Sequence, residues 1–128
     1  MIATCRPRWA GGRFQGSEDD RIAIQGRAFA AGARYVDLEV EAVLGGACRK
    51  VTGALSSDRV LVSAHDFKDT SRIGHHVRNL RDAPCGATKL AVSVSSARDL
   101  VSLKRAGRAL AGREELAIIG MEIGRAHV

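Results

Sequence analysis

The sequence predicts an α/β fold in which about five consecutive βα units build a parallel sheet. Strand-like apolar runs recur at intervals of about 25 to 34 residues, which is the length of one βα unit. Stretches with helix-capping residues separate these runs. Within each run, polar or small side chains alternate with apolar ones. The predicted strands are Ile2–Arg6, Tyr35–Val40, Val60–His65, Ala87–Val92 and Leu116–Ile119.

The predicted strands combine a face of polar or small side chains with an apolar face. Because successive side chains of a strand point to opposite sides, residues two apart share a face. The first kind of face carries Ile2, Thr4, Arg6, Leu61, Ser63, His65, Ala87, Lys89 and Ala91. The opposite face can pack against helices and carries Ala3, Cys5, Val60, Val62, Ala64, Thr88, Leu90 and Val92. Arg6, His65 and Lys89 are therefore expected on one side of the sheet.

The first helix has clear boundaries in the sequence. Ser17 is expected to cap it, since acidic residues fill the first turn and Gly32 follows the last apolar positions. The stretches Val43–Leu55 and Ser71–Leu80 predict helices less strongly, because glycines interrupt them.

A further helix is expected to begin after Ser95 or Ser96, either of which can cap its first turn. Its apolar residues have the spacing of a buried helical face, and we expect the buried leucines to be Leu100, Leu103 and Leu110.

Composition excludes several classes of protein. The 128 residues contain no apolar run of about 18 residues, and no signal peptide is recognised, so a membrane span is not expected. Cys5, Cys48 and Cys85 are odd in number and lack Cys-x-x-Cys spacing. Reduced thiols in a cytoplasmic protein therefore fit better than a disulfide framework or a zinc site.

The net charge of +6 is scattered along the chain, with few aromatic residues among the basic ones. Binding to nucleic acid usually needs a clustered basic face or stacking aromatics, so no nucleic-acid partner is expected. A basic balance does favour the approach of a small anionic substrate.

Lys89 and His65 are the candidate catalytic residues. Lys89 stands among small apolar residues, where loss of hydration favours the neutral, nucleophilic amine. A histidine on the neighbouring strand can move the protons that imine formation and breakdown require. The pair therefore suggests Schiff-base chemistry.

The surroundings of this pair resemble a known family. The matching segments, in order, are Ile2-Ala3-Thr4-Cys5-Arg6 with Gly11-Gly12, Tyr35-Val36-Asp37-Leu38-Glu39, Ser63-Ala64-His65-Asp66-Phe67 with Thr70, Lys89-Leu90-Ala91-Val92 with Asp99, and Ile119-Gly120-Met121. In residue types and spacing the set is similar to the type I 3-dehydroquinate dehydratases, which are (β/α)8 barrel enzymes of the shikimate pathway. The resemblance implies a partial (β/α)8 TIM barrel, since a complete one needs about 250 residues.

The resemblance implies a lyase that converts 3-dehydroquinate to 3-dehydroshikimate. Lys89 would form an imine with the ring ketone, His65 would act as acid and base, and Arg6 would bind the anionic substrate. It implies no metal and no organic cofactor. It further implies a cytoplasmic enzyme and is compatible with a homodimer of the full-length protein.

The chain departs from the family pattern at Ala10, where members commonly have a glutamate near the catalytic histidine. We interpret residues 1–121 as an incomplete barrel domain and internal fragment. The tail Glu122–Val128 matches the translation of a sequencing-adapter oligonucleotide, and we interpret it as read-through; the alternative is a genuine tail. The fragment alone is expected to be nearly inactive.

Other interpretations of these residues remain open. Lys89 could be a surface lysine, His65 a structural histidine beside Asp66, and Arg6 an ion-pair partner of Asp37 or Glu39. A carboxylate row facing the inside of the barrel (Asp37, Glu39 and Glu41) is expected to hold basic side chains in place rather than to serve as general acid. An adjacent pair on an exposed helix, His75 and His76, is not expected to bind metal, because sequence neighbours diverge on a helix.

Two alternative functions follow for the whole chain. One is another lysine-imine barrel enzyme, such as a class I aldolase. The other is a non-catalytic ligand-binding remnant, which Ala10 favours because the carboxylate next to the histidine is missing.

Overall fold

The computed structural model describes residues 1–54, 57–112 and 115–121, and these residues form one sheet flanked by helices. The strands lie side by side in chain order, and every neighbouring pair is parallel. They are β1 (Ile2–Thr4), β2 (Tyr35–Glu39), β3 (Ser57–Asp66), β4 (Cys85–Ser93) and β5 (Glu115–Met121). Sequential parallel order is the arrangement of a (β/α)8 barrel wall, so the predicted α/β fold is confirmed.

The helices follow the strands as a βα repeat requires. They are α1 (Glu18–Ala30), α2 (Val40–Leu44), α3 (Ala47–Thr52), α4 (Ile73–Asp82) and α5 (Ala97–Ala109), and a 3-10 turn (Arg8–Ala10) precedes α1. The weakly predicted stretch Val43–Leu55 contains the end of α2 and the whole of α3. Gly46, with φ of 94°, stands at the break between α2 and α3, and Gly53, with φ of 79°, ends α3.

Strand ends differ from the prediction in both directions. β1 stops at Thr4, two residues before the predicted Arg6, because Pro7 lacks a backbone N–H and the chain turns there. β3 begins at Ser57, earlier than predicted, and Ser57 pairs with Cys85 beyond a shift in register. Its first residues are polar, so the alternation of side chains gave no signal for this extension.

Both predicted serine caps are confirmed. The Ser17 hydroxyl accepts a hydrogen bond from the Asp20 N–H at 3.1 Å. Ser96 forms a capping box with Asp99 at the start of α5. These bonds satisfy backbone N–H groups that a helix leaves unpaired at its start.

Only part of the predicted leucine face of α5 is buried. Leu103 and Leu110 are buried together with Ala106, but Leu100 is 56% exposed. At 100° per residue, Leu100 lies about 60° from Leu103 on the side away from Ala106. The buried stripe of α5 therefore passes beside Leu100, and the prediction that Leu100 is buried was wrong.

The alternation of the strands separates the core from the opposite face, as predicted. The apolar side chains of β2, β3 and β4 pack against the helices, and the fully or nearly fully buried members are Val36, Leu38, Val60, Val62, Ala64, Leu90 and Val92. On the other side, hereafter the inner face, Tyr35, Leu61 and Ala87 form a small separate cluster. The polar residues that the sequence placed together lie above this cluster.

Among the described residues, none of the helices is long and apolar enough to cross a membrane.

Replacing Leu90 by Ala should lower the free energy of unfolding by about 2–5 kcal/mol, because its side chain is fully buried between β4 and the helices. The matched variant Leu100→Ala removes the same atoms from an exposed position and should cost about 0.5 kcal/mol or less. Urea unfolding followed by circular dichroism measures both values. Equal losses for the two variants would contradict the packing described above.

Candidate active site

Polar side chains of three adjacent strands meet on the inner face. In the sheet, Glu39 is level with Ser63, and Ser63 is level with Lys89. Asp37 lies one layer below on β2, and His65 lies one layer above on β3. The register of the parallel strands thus brings acid, base and amine groups to the carboxyl ends of β2, β3 and β4, where barrel enzymes place their active sites.

Asp37 is the centre of the contacts on the inner face. Its Oδ1 accepts hydrogen bonds from Ser63 Oγ at 2.7 Å and from Arg6 Nη1 at 3.2 Å. Its Oδ2 accepts one from Arg6 Nη2 at 2.6 Å and lies 4.0 Å from Lys89 Nζ. The carboxylate, only 3% exposed, therefore joins the guanidinium of Arg6 to the amine of Lys89.

Arg6 forms ion pairs with both carboxylates that the sequence suggested as partners. Besides its paired bonds to Asp37, it reaches Glu39 Oε1 at 2.7 Å and Ser63 Oγ at 2.9 Å. The side chain comes from the loop after β1 and is 14% exposed. These contacts hold the guanidinium over the carboxyl ends of β2 and β3.

A second arginine, Arg21 of α1, completes the network and was not recognised in the sequence. It is fully buried, and its Nη1 lies 2.7 Å from Glu39 Oε2. Burial raises the pKa of Glu39, while Arg21 and Arg6 act to lower it. Nothing in the sequence around Arg21 distinguishes it from the many exposed arginines, and only the tertiary contact with Glu39 identifies it.

His65 has an unusual environment for a histidine. Its Nδ1 is buried and has no hydrogen-bond partner among the described residues. The ring stacks on Phe67, with centroids 6.0 Å apart and planes inclined by 14°. Burial, together with the positive charges of Arg6 and Lys89, lowers the pKa of His65 to about 4. The imidazole is therefore neutral at neutral pH.

Lys89 and His65 lie on the same side of the sheet. Lys89 faces Asp37 at 4.0 Å, and His65 is level with Ala91, which is two residues along β4 from Lys89. A strand spacing of about 4.8 Å and a rise of about 3.3 Å per residue separate their Cα atoms by about 8 Å. A ring-sized molecule between the two side chains could contact both.

The structure contradicts the predicted position of Glu41. β2 ends at Glu39, and Glu41 lies in the first turn of α2 with an exposed side chain. The period changes from strand to helix at that point, so Glu41 no longer shares a face with Asp37 and Glu39. Of the three carboxylates in the predicted row, Asp37 and Glu39 lie on the inner face.

The prediction for the histidine pair of α4 was half wrong. His75 is exposed, as expected, but His76 is buried and its Nε2 lies 2.9 Å from Asp66 Oδ2. Asp66 directs its carboxylate toward the helices, so its partner is His76 rather than the adjacent His65. Within the described part of the chain, no group of three or more histidine, cysteine or acidic side chains could hold a metal ion.

Ala10 occupies a buried position in the 3-10 turn next to the site. Gly11 follows with φ of 85°, and a Cβ built on it would lie 2.5 Å from Phe67 Cζ. The turn thus packs directly against the ring that stacks on His65. At Ala10 it supplies a methyl group and no carboxylate.

Comparison with known proteins agrees with this geometry. The sequence model of the type I 3-dehydroquinase family matches residues 1–126. A 3-dehydroquinate dehydratase from Desulfotalea psychrophila is 34% identical over 105 residues, covering 79% of this chain and 46% of the relative. One from Methanothermobacter thermautotrophicus is 39% identical over 83 residues, covering 65% of this chain and 36% of the relative. The chain spans about half the length, or less, of these relatives.

Solved structures show the same fold. The type I 3-dehydroquinate dehydratase from Clostridium difficile, crystallised with covalently modified comenic acid, superimposes with a TM-score of 0.70 at 20% identity. It covers 94% of this chain, which corresponds to 51% of the Clostridium protein. The 3-dehydroquinate dehydratase from Geobacillus kaustophilus gives 0.62 at 25% identity, covering 94% of this chain and 49% of its own. The described sheet is thus a partial (β/α)8 barrel, and the chain belongs to the type I 3-dehydroquinase family.

Proposed function

We propose that this chain carries the imine-forming half of a Schiff-base dehydratase that converts 3-dehydroquinate to 3-dehydroshikimate. The observation that carries the proposal is the placement of Lys89 and His65 on one face of adjacent strands, with Asp37 and Arg6 beside the amine. The names of the relatives supply the substrate. The catalytic and binding roles given below are parts of the same proposal.

Lys89 begins the reaction as the nucleophile. Its amine nitrogen attacks the ring ketone to form a carbinolamine, which takes up a proton and loses water to give a protonated imine. The positive imine nitrogen then draws electrons from the adjacent carbon and makes its C–H bond acidic. The contact with Asp37 at 4.0 Å keeps the amine on the inner face, where it would meet the ketone.

His65 moves the protons of the following steps. In its neutral form it removes the proton next to the imine and leaves an enamine. The imidazolium then protonates the β-hydroxyl as the enamine expels it, which returns the ring to the neutral form. Water hydrolyses the conjugated imine and releases 3-dehydroshikimate and the free lysine. Acid–base help of this kind is worth about 10²–10⁴-fold in rate, and the steps use no metal or organic cofactor.

Arg6 is proposed to bind the anionic substrate from the rim of the site. A guanidinium has five N–H donors, so a side chain that bridges two carboxylates can also donate to a ligand. Asp37, Glu39 and Ser63 hold it in one orientation, which lowers the entropy lost when a ligand binds.

A non-catalytic ligand-binding role is the second candidate, and a specific observation favours it. His65 Nδ1 is buried without a hydrogen-bond partner among the described residues, and the nearby turn supplies only the methyl group of Ala10. A histidine without an orienting partner is a weaker base and a less well placed one. Another lysine-imine lyase or aldolase would use the same pair, and the substrate trapping below separates that possibility.

The 128-residue polypeptide alone is proposed to be nearly inactive. β1 and β5 are the edge strands of the described sheet. Unpaired strand edges expose N–H and C=O groups that favour association, and a sheet with free edges holds the reacting groups less firmly in place.

Sodium borohydride added with 3-dehydroquinate should reduce the imine and attach the substrate covalently to Lys89, as peptide mass spectrometry would show. Lys89→Ala should abolish the adduct. The matched variant Lys104→Ala, which removes an exposed lysine of α5, should leave it unchanged. Labelling of several lysines in proportion to their exposure would refute the proposal, and equal labelling by a simple aldose or ketose would favour an aldolase.

Turnover of 3-dehydroquinate by the purified polypeptide should be at least about 10²-fold below that of a protein completed to the length of its relatives, because free sheet edges allow the reacting groups to shift out of place. Ultraviolet absorbance of the enone product follows turnover, and sedimentation velocity should show oligomers formed through the strand edges. A monomer with full turnover would contradict this prediction.

Stability should fall between pH 6.5 and about 4 because His65 stays neutral in the fold while the unfolded chain takes up a proton. Since the ring is partly exposed, we expect a loss of about 1–2 kcal/mol over this range. Glu18, Asp66 and Asp99 also have lowered pKa values, so acid reduces their contribution to stability as well. This loss is common to the wild type and to a variant that lacks His65. Urea unfolding of the wild type and of His65→Gln at several pH values separates the contribution of the histidine. The variant should lose less free energy of unfolding on acidification. Identical pH dependence of the two proteins would disprove the lowered pKa of His65.

A further inference from the structure

The last residue of β3 links the candidate catalytic histidine to helix α4. Asp66 directly follows His65, but its side chain points to the opposite face of the sheet. There its Oδ2 meets His76 Nε2 at 2.9 Å, with side chains only 13% and 8% exposed. A charge-assisted contact this well buried fixes the end of β3 against α4.

The loop after β3 is held by the same carboxylate and by one other. Asp66 Oδ1 accepts a hydrogen bond from the Lys68 N–H at 3.0 Å. Thr70 Oγ1 donates to Asp99 Oδ1 at 2.7 Å, which ties the loop to the start of α5. The backbone on the carboxyl side of His65 therefore has fixed points at Asp66 and Thr70.

The imidazole of His65 has few contacts of its own to hold it. Its Nδ1 has no hydrogen-bond partner among residues 1–54, 57–112 and 115–121, and its stacking partner Phe67 belongs to the same short segment. Phe67 in turn packs against Gly11, where a Cβ would come within 2.5 Å. The orientation of the His65 ring thus depends on where the backbone of residues 65–67 lies.

We propose that His76 is a positioning residue for His65, acting through Asp66 and the backbone of β3. The imidazole of His76 anchors the carboxylate next to the catalytic ring, and this anchor takes the place of a direct hydrogen bond to His65 Nδ1. The proposal rests on the proposed function for the role of His65, but the contact itself can be tested without turnover.

Hydrogen exchange measured by mass spectrometry can follow both the backbone amides near His65 and the imidazole ring of His65. Exchange of the backbone amides of residues 65–67 reports local opening. Exchange of the His65 Cε1–H as a function of pH reports the midpoint of its titration. The variants are His76→Leu, which removes the donor, and His76→Gln, whose amide can still donate to Asp66. The matched control is His75→Leu, which changes the adjacent, exposed histidine.

The proposal predicts that His76→Leu accelerates amide exchange of residues 65–67 by about 10-fold or more, as loss of a hydrogen bond to a charged group implies. The His65 midpoint should move from about 4 toward 6.5, because a loosened ring gains contact with water. His76→Gln and His75→Leu should retain the wild-type values. An unchanged His65 midpoint and unchanged exchange in His76→Leu would overturn the proposal.

If His76→Leu does not fold, His76→Asn is compared with His76→Gln instead. The Asn side chain is one methylene shorter than that of Gln, so its amide should not reach Asp66. A perturbed His65 in the Asn variant and a normal one in the Gln variant would support the positioning role. Equal behaviour of the two would overturn it. Failure of Lys89 to trap 3-dehydroquinate would refute the proposed function alone, because the His65 measurements do not involve the substrate.

Discussion

Two buried carboxylates on β2, Asp37 and Glu39, determine how the inner face is assembled. A carboxylate taken out of water must be paired, and the cations that pair with these two come from other elements. Arg6 comes from the loop after β1, Arg21 from α1 and Lys89 from β4. Folding of the charged interior therefore requires three separate elements to meet at β2. The amine of the proposed reaction is one of the groups that this requirement brings in.

The same network explains why the inner face can be reactive rather than merely stable. Buried ion pairs add little net stability, because desolvation offsets much of the attraction between the charges. They do fix orientation. Arg6 and Asp37 are held by several partners each, whereas the Lys89 amine lies 4.0 Å from Asp37, beyond hydrogen-bond distance, and keeps more freedom to approach a ketone.

Most of the fold could be predicted because its main signal is local. The alternation of side chains in β3 and β4 placed His65 and Lys89 on one face, and the structure has them there. The serine caps Ser17 and Ser96 were visible for the same reason, since a cap involves residues only three apart. Errors arose where the burial of a side chain depends on another element of the fold. The path of the neighbouring helices left Leu100 exposed, and the end of β2 turned Glu41 outward.

The parts of the site that could not be predicted depend on contacts between distant residues. Arg21 and His76 resemble ordinary surface residues in the sequence, and only Glu39 and Asp66 give them their roles. Residues 55, 56, 113, 114 and 122–128 lie outside the described part of the chain. The interpretation of Glu122–Val128 as read-through therefore stays a prediction. The assignment of Lys89, His65 and Arg6 to catalysis and binding stays a prediction.

We propose that the Lys89 amine and the His65 imidazole act on one molecule from the same side of the sheet. A crystal structure of the borohydride-reduced adduct with 3-dehydroquinate tests it most directly. We expect a carbon–nitrogen bond at Lys89 Nζ, with a ring nitrogen of His65 within about 3 Å of the bound molecule or of one bridging water. An adduct on a different lysine, or a His65 ring turned away from the bound molecule, would contradict it.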